Sequence, residues 1–138
     1  MSTTVAMTPD EVIAVFAAAM HAGRIDDALA LYEPDAVFLP QPDASPVSGH
    51  DAIRAALTGF AALRPTMTAD IRKVVTTGEI ATVLNSWQLH GITPAGEPIV
   101  MAGTSADVMR RRADGTWGIL IDDPWGATPG PQPTEQEQ

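Results

Sequence analysis

The chain has 138 residues, enough for one domain, and its 8 Lys+Arg against 17 Asp+Glu leave a formal net charge of −9. That balance argues against a nucleic-acid backbone or an anionic membrane as partner. Hydrophobic residues make up 45%, sufficient for a single core, and the absence of cysteine excludes disulfides, thiolate metal sites and cysteine nucleophiles.

Residues 1–7 carry no periodic pattern and are expected to be a flexible N-terminus. Thr8-Pro9-Asp10-Glu11 then reads as a helix start, with Thr8 as N-cap, Pro9 at the first helical position and Glu11 closing a capping box. Val12, Ile13, Phe16, Ala19 and Met20 follow at helical spacing, and Gly23 ends the run. A shorter helix turns Ile25, Ala28, Leu29 and Tyr32 inward and closes at Pro34. Asp35 to Leu39 is a short strand, broken by Pro40 and Pro42. A third helix is expected from Ser48-Gly49-His50-Asp51, with Ser48 as cap, an apolar stripe of Ile53, Leu57 and Phe60, and a stop at Arg64-Pro65.

After Pro65 the period changes to a β pattern. Strands are expected over 67–76, 80–91, 99–112 and 117–123, separated by Thr77-Gly78-Glu79, a Pro/Gly loop, and the tight turn Ala113-Asp114-Gly115-Thr116. Helices followed by consecutive antiparallel strands imply an α+β domain over 8–126, its curved sheet covered on one face by about three N-terminal helices. The remainder, 127–138, is rich in Pro, Gln and Glu and is expected to be a disordered tail.

No apolar run approaches the roughly 20 residues of a membrane span. The N-terminus lacks the basic start and apolar stretch of a signal peptide, so a cytoplasmic protein is expected. The histidines, at 21, 50 and 90, are scattered without metal-motif spacing, so no metal or other cofactor is expected.

The segments AGRIDDALALYEPDAVF and SGHDAI, followed by a meander closed by ADGTWGIL, resemble the nuclear-transport-factor-two-like superfamily, a cone-shaped, cystatin-like α+β fold. Within it the chain is similar to small bacterial SnoaL-like and ketosteroid-isomerase-like proteins. The resemblance implies a pocket between helices and sheet, a small apolar ligand, and a homodimer formed through the outer sheet face. Ketosteroid isomerases use an aspartate base with a tyrosine and a protonated aspartate as oxyanion donors. Overlaying the segments puts Phe16 at the tyrosine position and Pro40 at the base position. Neither can move a proton, which argues against that isomerase activity. The overlay puts Asp107 at the acidic donor position. Strand alternation then places Ser105, Asp107 and Met109 on the inner face; the competing reading pairs Asp107 with Arg110, Arg111 or Arg112.

On the preceding strand the same overlay sends Leu84, Ser86, Gln88 and His90 inward and Trp87 outward. A one-residue slip would exchange the sets. Alternation sends Leu120 and Asp122 inward, so Asp107 and Asp122 could meet as an acid/base pair. The candidate catalytic residues are therefore Asp107 and Asp122. Substrate contacts are expected from Phe16, Phe38, Pro40, Leu57, Phe60, Leu84, Ser86, Gln88, His90, Ser105, Met109 and Leu120. The functional reading is an acid/base enzyme of isomerase, cyclase or hydrolase type on a small hydrophobic or polyketide-like molecule. The alternatives are a non-catalytic small-molecule-binding protein or a dimeric interaction module of the same fold.

Overall fold

The computed structural model describes residues 5–129. Its elements are α1 (Glu11–His21), α2 (Ile25–Leu29), β1 (Tyr32–Phe38), β2 (Val47–Ser48), α3 (His50–Ala61), β3 (Thr66–Thr77), β4 (Ile80–Ile92), β5 (Pro98–Arg111) and β6 (Trp117–Asp122). One sheet holds every strand in the order β2-β1-β6-β5-β4-β3, so it stays open, with β2 and β3 at its edges. The β1–β6 pair is parallel and the other pairs are antiparallel. This is the expected α+β arrangement: a curved, mainly antiparallel sheet with a few helices packed on one face.

The first helix starts two residues later than expected, at Glu11 with Asp10 as its N-cap and no side-chain cap bond, although Thr8 and Glu11 still bond each other in the preceding turn. The Glu11 N–H donates to Thr8 Oγ1 at 3.4 Å, and the Thr8 hydroxyl donates to the Glu11 carboxylate at 3.1 Å. The third helix starts differently. Ser48 is not its cap but pairs with Val37 in β2. Gly49 makes the turn at φ 85°, a conformation that costs glycine little, and the helix runs from His50. Tyr32, expected on a helix, opens β1. Pro34, expected to close a turn, lies within β1 where the β1–β6 ladder is irregular between Tyr32 and Val37, the kind of place where a missing N–H is tolerated.

The helices bury their apolar stripes on the inner face of the sheet. Val12 and Met20 of α1, Ile53 and Leu57 of α3, and Leu31, Tyr32, Phe38, Val83, Met109 and Ile119 form one core. Burial of this continuous apolar surface is the main force holding helices to sheet. On the far side of β1, Glu33 is almost fully buried and receives Arg110 Nε at 2.9 Å and Arg112 Nε at 2.7 Å.

The ends are more engaged than their composition suggests. Ala6 is fully buried, and its carbonyl accepts the Trp117 N–H at 2.8 Å. Beyond β6, the Ala106 N–H donates to the Asp123 carbonyl at 3.0 Å and the Ala127 N–H to the Thr104 carbonyl at 3.0 Å. The Thr104 N–H donates to Thr128 Oγ1 at 2.8 Å. Residues 123–128 are thus strapped along β5. The rest of the expected flexible ends, 1–4 and 130–138, lies outside the described residues.

Candidate functional site

A cavity of ≈100 Å³ lies between α1, α3 and the inner face of the sheet. Phe16, Phe38, Leu57 and Phe60, all expected as contacts, line it together with Ile13, Met20, Met67 and Met101. Edge-to-face contacts order the aromatic wall: Phe38 meets Phe60 with ring centres 6.4 Å apart, and Tyr32 meets Phe16 at 6.1 Å.

The β4 register is one residue away from the expected one. Asn85 pairs with Ser105 and Val83 with Asp107, and directly paired residues face the same side of a sheet. The inward set is therefore Val83, Asn85, Trp87 and Leu89. Leu84, Ser86, Gln88 and His90 face outward, away from the cavity. Both sets mix polar and apolar residues, so alternation along β4 could not separate them. Leu120, expected inward, does not line the cavity. The β5–β6 ladder passes from Met109↔Ile119 to Val108↔Ile121, which leaves Leu120 at the irregularity, and Ile119 lines the cavity in its place. Pro40 follows β1, half-buried and outside the cavity wall. Met109 is on the inner face but buried in the core rather than on the wall. His50 donates from Nε2 to the Tyr32 carbonyl at 2.9 Å.

Ser105, Asp107 and Asp122 do reach the cavity. Asp107, 4% exposed, accepts the Asp123 N–H on Oδ1 at 2.9 Å. Asp122 accepts the Tyr32 hydroxyl on Oδ2 at 2.5 Å, and a further hydrogen bond joins it to the Asp107 carboxyl. Loss of solvent pushes the Asp107 carboxyl well above the ordinary carboxylate range, and the neighbouring Asp122 charge pushes it further. Asp122 is also raised by desolvation, to about 6, while the hydrogen bonds from Tyr32 and Asp107 hold it down. The two carboxyls titrate as one coupled pair, with burial favouring the protonated form of each. Of the arginines that might have neutralised Asp107, Arg111 is exposed at the end of β5 and the other two are engaged elsewhere. Arg110 binds Glu33 and, at 2.7 Å, Asp35; Arg112 binds Glu33 and donates to the Ala30 carbonyl at 2.8 Å. A neutral acid beside a carboxylate that titrates near neutrality can give a proton at one point and accept one at the next.

The remaining wall comes from residues that sequence reasoning did not place there. The Trp87 Nε1–H donates to the Pro124 carbonyl at 2.6 Å, and its ring meets Trp125 edge to face at 5.6 Å. Trp87 therefore closes the cavity instead of serving an outer face. Opposite Trp87 on β5 is Gly103, where a β-carbon would come within 2.9 Å of Trp125. Tyr32 is the chain's one tyrosine, at a helix-to-strand junction, and Trp125 follows directly on the last strand; those positions are the only signals they gave. Among the described residues no group of three His, Asp or Glu side chains could hold a metal ion. No helix among them is long and apolar enough to cross a membrane.

The model of the SnoaL-like domain family matches residues 12–117. No curated protein matches the sequence. Among solved structures, a candidate aromatic ring hydroxylase from Novosphingobium aromaticivorans superposes with a TM-score of 0.76 at 22% identity, covering 87% of each chain. A ketosteroid isomerase-like protein from Erwinia carotovora atroseptica gives 0.69 at 21% identity, covering 82% of this chain and 88% of the other. A candidate calcium/calmodulin-dependent protein kinase type II association domain from Thiobacillus denitrificans gives 0.70 at 24% identity, covering 86% of this chain and 94% of the other. At these identities the likeness is one of fold.

Proposed function

The chain belongs to the SnoaL-like domain family, and from that premise we propose that it performs acid/base chemistry on a small hydrophobic molecule held in the cavity. One observation carries this reading: two buried carboxyls, Asp107 and Asp122, converge on the same apolar cavity, and loss of solvent raises both above the ordinary carboxylate range. Asp107 is the proton donor and Asp122 the acceptor. Tyr32 positions Asp122, and Ser105 and Asn85 orient the bound molecule. Reactions of isomerase, cyclase or hydrolase type can run on such a pair. Ketosteroid isomerisation is not proposed, because Phe16 and Pro40 stand at its tyrosine and base positions. The ring-directed names of two structural neighbours agree with a hydrophobic substrate.

Size limits the substrate. The cavity is ≈100 Å³, against about 150 Å³ for an apolar cavity that binds benzene. A single small ring or short branched chain is the upper bound unless Trp125 and the strap that carries it shift outward. The test is carbon-13 NMR of the aspartate carboxyls across pH, combined with native mass spectrometry of freshly purified protein. One carboxyl titrating near 6, and its midpoint moving when a small hydrophobic molecule binds, supports the reading. If both carboxyls titrate in the ordinary range, or no small hydrophobic molecule binds, the reading fails.

A second reading, sequestration without turnover, is favoured by a different observation. Tyr32 donates to Asp122, so the base is already engaged before any ligand arrives. A bound molecule that co-purifies unchanged and leaves the Asp122 titration where it was selects this reading.

The outer face of β3, β4 and β5 is proposed as the contact between two copies. Val75, Ile92 and Val100 are at least half exposed there. The association-domain name of one structural neighbour agrees with this. Analytical ultracentrifugation should give the mass of two chains, and Val100→Lys should return it toward one.

A further inference from the structure

The charge in the cavity wall has one sign. Asp107 and Asp122 are its ionisable side chains; no lysine, arginine or histidine lines it among the described residues. Arg110 and Arg112, three and five residues beyond Asp107, are held by Glu33, Asp35 and the Ala30 carbonyl. The groups that do touch the acid pair, the Tyr32 and Ser105 hydroxyls and the Asp123 amide, are neutral donors. They solvate the negative charge without cancelling it, and the Asp123 carboxylate adds to it from outside. A carboxylate enclosed by apolar walls without a counter-charge is costly, and a cation of matching size is what relieves it. The rest of the wall suits the same guest, because it holds the aromatic side chains of Phe16, Phe38, Phe60, Trp87 and Trp125, a residue type that packs against apolar substituents and whose ring face attracts a cation. An oxyanion would instead meet an uncompensated negative charge in a poorly screened space. The chain's net charge of −9 also draws cations from solution and repels anions.

Building on the reading of this cavity as a ligand site, we infer that its guest is a small lipophilic cation, a protonated amine whose ammonium group contacts Asp122 and whose carbon skeleton fills the aromatic end. The site selects for a group that carries or gains positive charge, and against carboxylates, phenolates and enolates. Asp107 supplies a neutral donor beside the ion pair rather than a second charge.

Three molecules of one shape and different charge test this by isothermal titration calorimetry near neutral pH: cyclopentylamine, cyclopentanol and cyclopentanecarboxylate. The ammonium is expected to bind at least about tenfold tighter than the alcohol, with the carboxylate weakest. In Asp122→Asn the amine-over-alcohol preference should fall to within about threefold, whereas in Asp107→Asn, which keeps the Asp122 charge, it should persist. Two results overturn the inference and leave the cavity reading standing: the alcohol binding as tightly as the amine, or an amine preference unchanged in Asp122→Asn, which would place the amine on surface acids. If none of the three binds, the cavity reading falls, and the inference falls with it.

Discussion

Asp107 and Asp122 push each other's protonation apart, and that has a measurable cost to the fold. Both are raised above their unfolded value of 3.8, Asp122 to about 6 and Asp107 well beyond the ordinary range. The folded state therefore binds protons more tightly than the unfolded chain. The stabilising contribution is complete below pH 3.8 and is lost as pH climbs through about 6 and beyond. Replacing Asp107 by Asn removes one titration and keeps a donor toward Asp122. Asp107→Asn is expected to stabilise the protein above neutrality by on the order of 1–3 kcal/mol, with the gain vanishing near pH 4; urea unfolding across pH reads it. Glu33 is the opposite case. Its own burial raises its carboxyl but is outweighed by the hydrogen bonds from Arg112 and Arg110, which hold it below the usual range. Glu33→Ala leaves both guanidinium groups without their carboxylate and should cost about 2–3 kcal/mol at neutral pH, less than for a fully enclosed pair because both arginines keep some water. A loss well under 1 kcal/mol would show that water replaces Glu33 adequately.

At the level of elements, β5 positions the site. Its central stretch faces β4 on one side and, on the other, β6 and then the 123–128 strap. Ser105 and Asp107 project inward, while Gly103 leaves the space that Trp125 fills. A methyl group at position 103 would meet Trp125 Cδ1 at 2.9 Å, Trp87 Cζ2 at 3.1 Å and Thr128 Oγ1 at 3.1 Å. Gly103→Ala should therefore displace the strap, cost about 1–3 kcal/mol and shift tryptophan emission to the red as Trp125 gains water. Unchanged emission and stability would mean that the strap adjusts freely. The bulge near Leu120 does related work. By absorbing one residue it lets Ile119 and Asp122 both face the cavity, three positions apart, where strict alternation would turn one of them away.

For the whole molecule, the opposing titrations set a stability optimum on the acid side of neutrality. Below it the carboxylates held down by partners, Glu33 with Arg110 and Arg112, Asp35 with Arg110, and Asp114 with the Thr116 hydroxyl and amide, become protonated and lose their contribution. Above it the desolvated pair at Asp107 and Asp122 becomes charged at a cost, and self-repulsion in a chain of net charge −9 adds to the loss. Thermal unfolding should peak at about pH 5, and the alkaline limb should flatten in Asp107→Asn. A peak at or above neutrality in the wild type would mean that the acid pair is better solvated than its surroundings suggest.

Local patterns in the sequence determined the helices, the strand meander, the α+β class and the resemblance to the SnoaL-like family, because capping residues, turn glycines and apolar periodicity act over a few positions and need no partner. With the family resemblance marking Asp107 as inward, alternation also set the direction of Ser105 on the same strand. Tertiary structure alone decided the rest of the site. The faces of β4 depend on which residue lies opposite Ser105, the turn of Ile119 depends on a bulge made between strands, and Tyr32 meets Asp122 across 90 positions of chain. The protonation of the acid pair is likewise a property of enclosure: the same carboxyls in water would titrate alike, and they separate only once the sheet, the helices and Trp125 have excluded solvent around them.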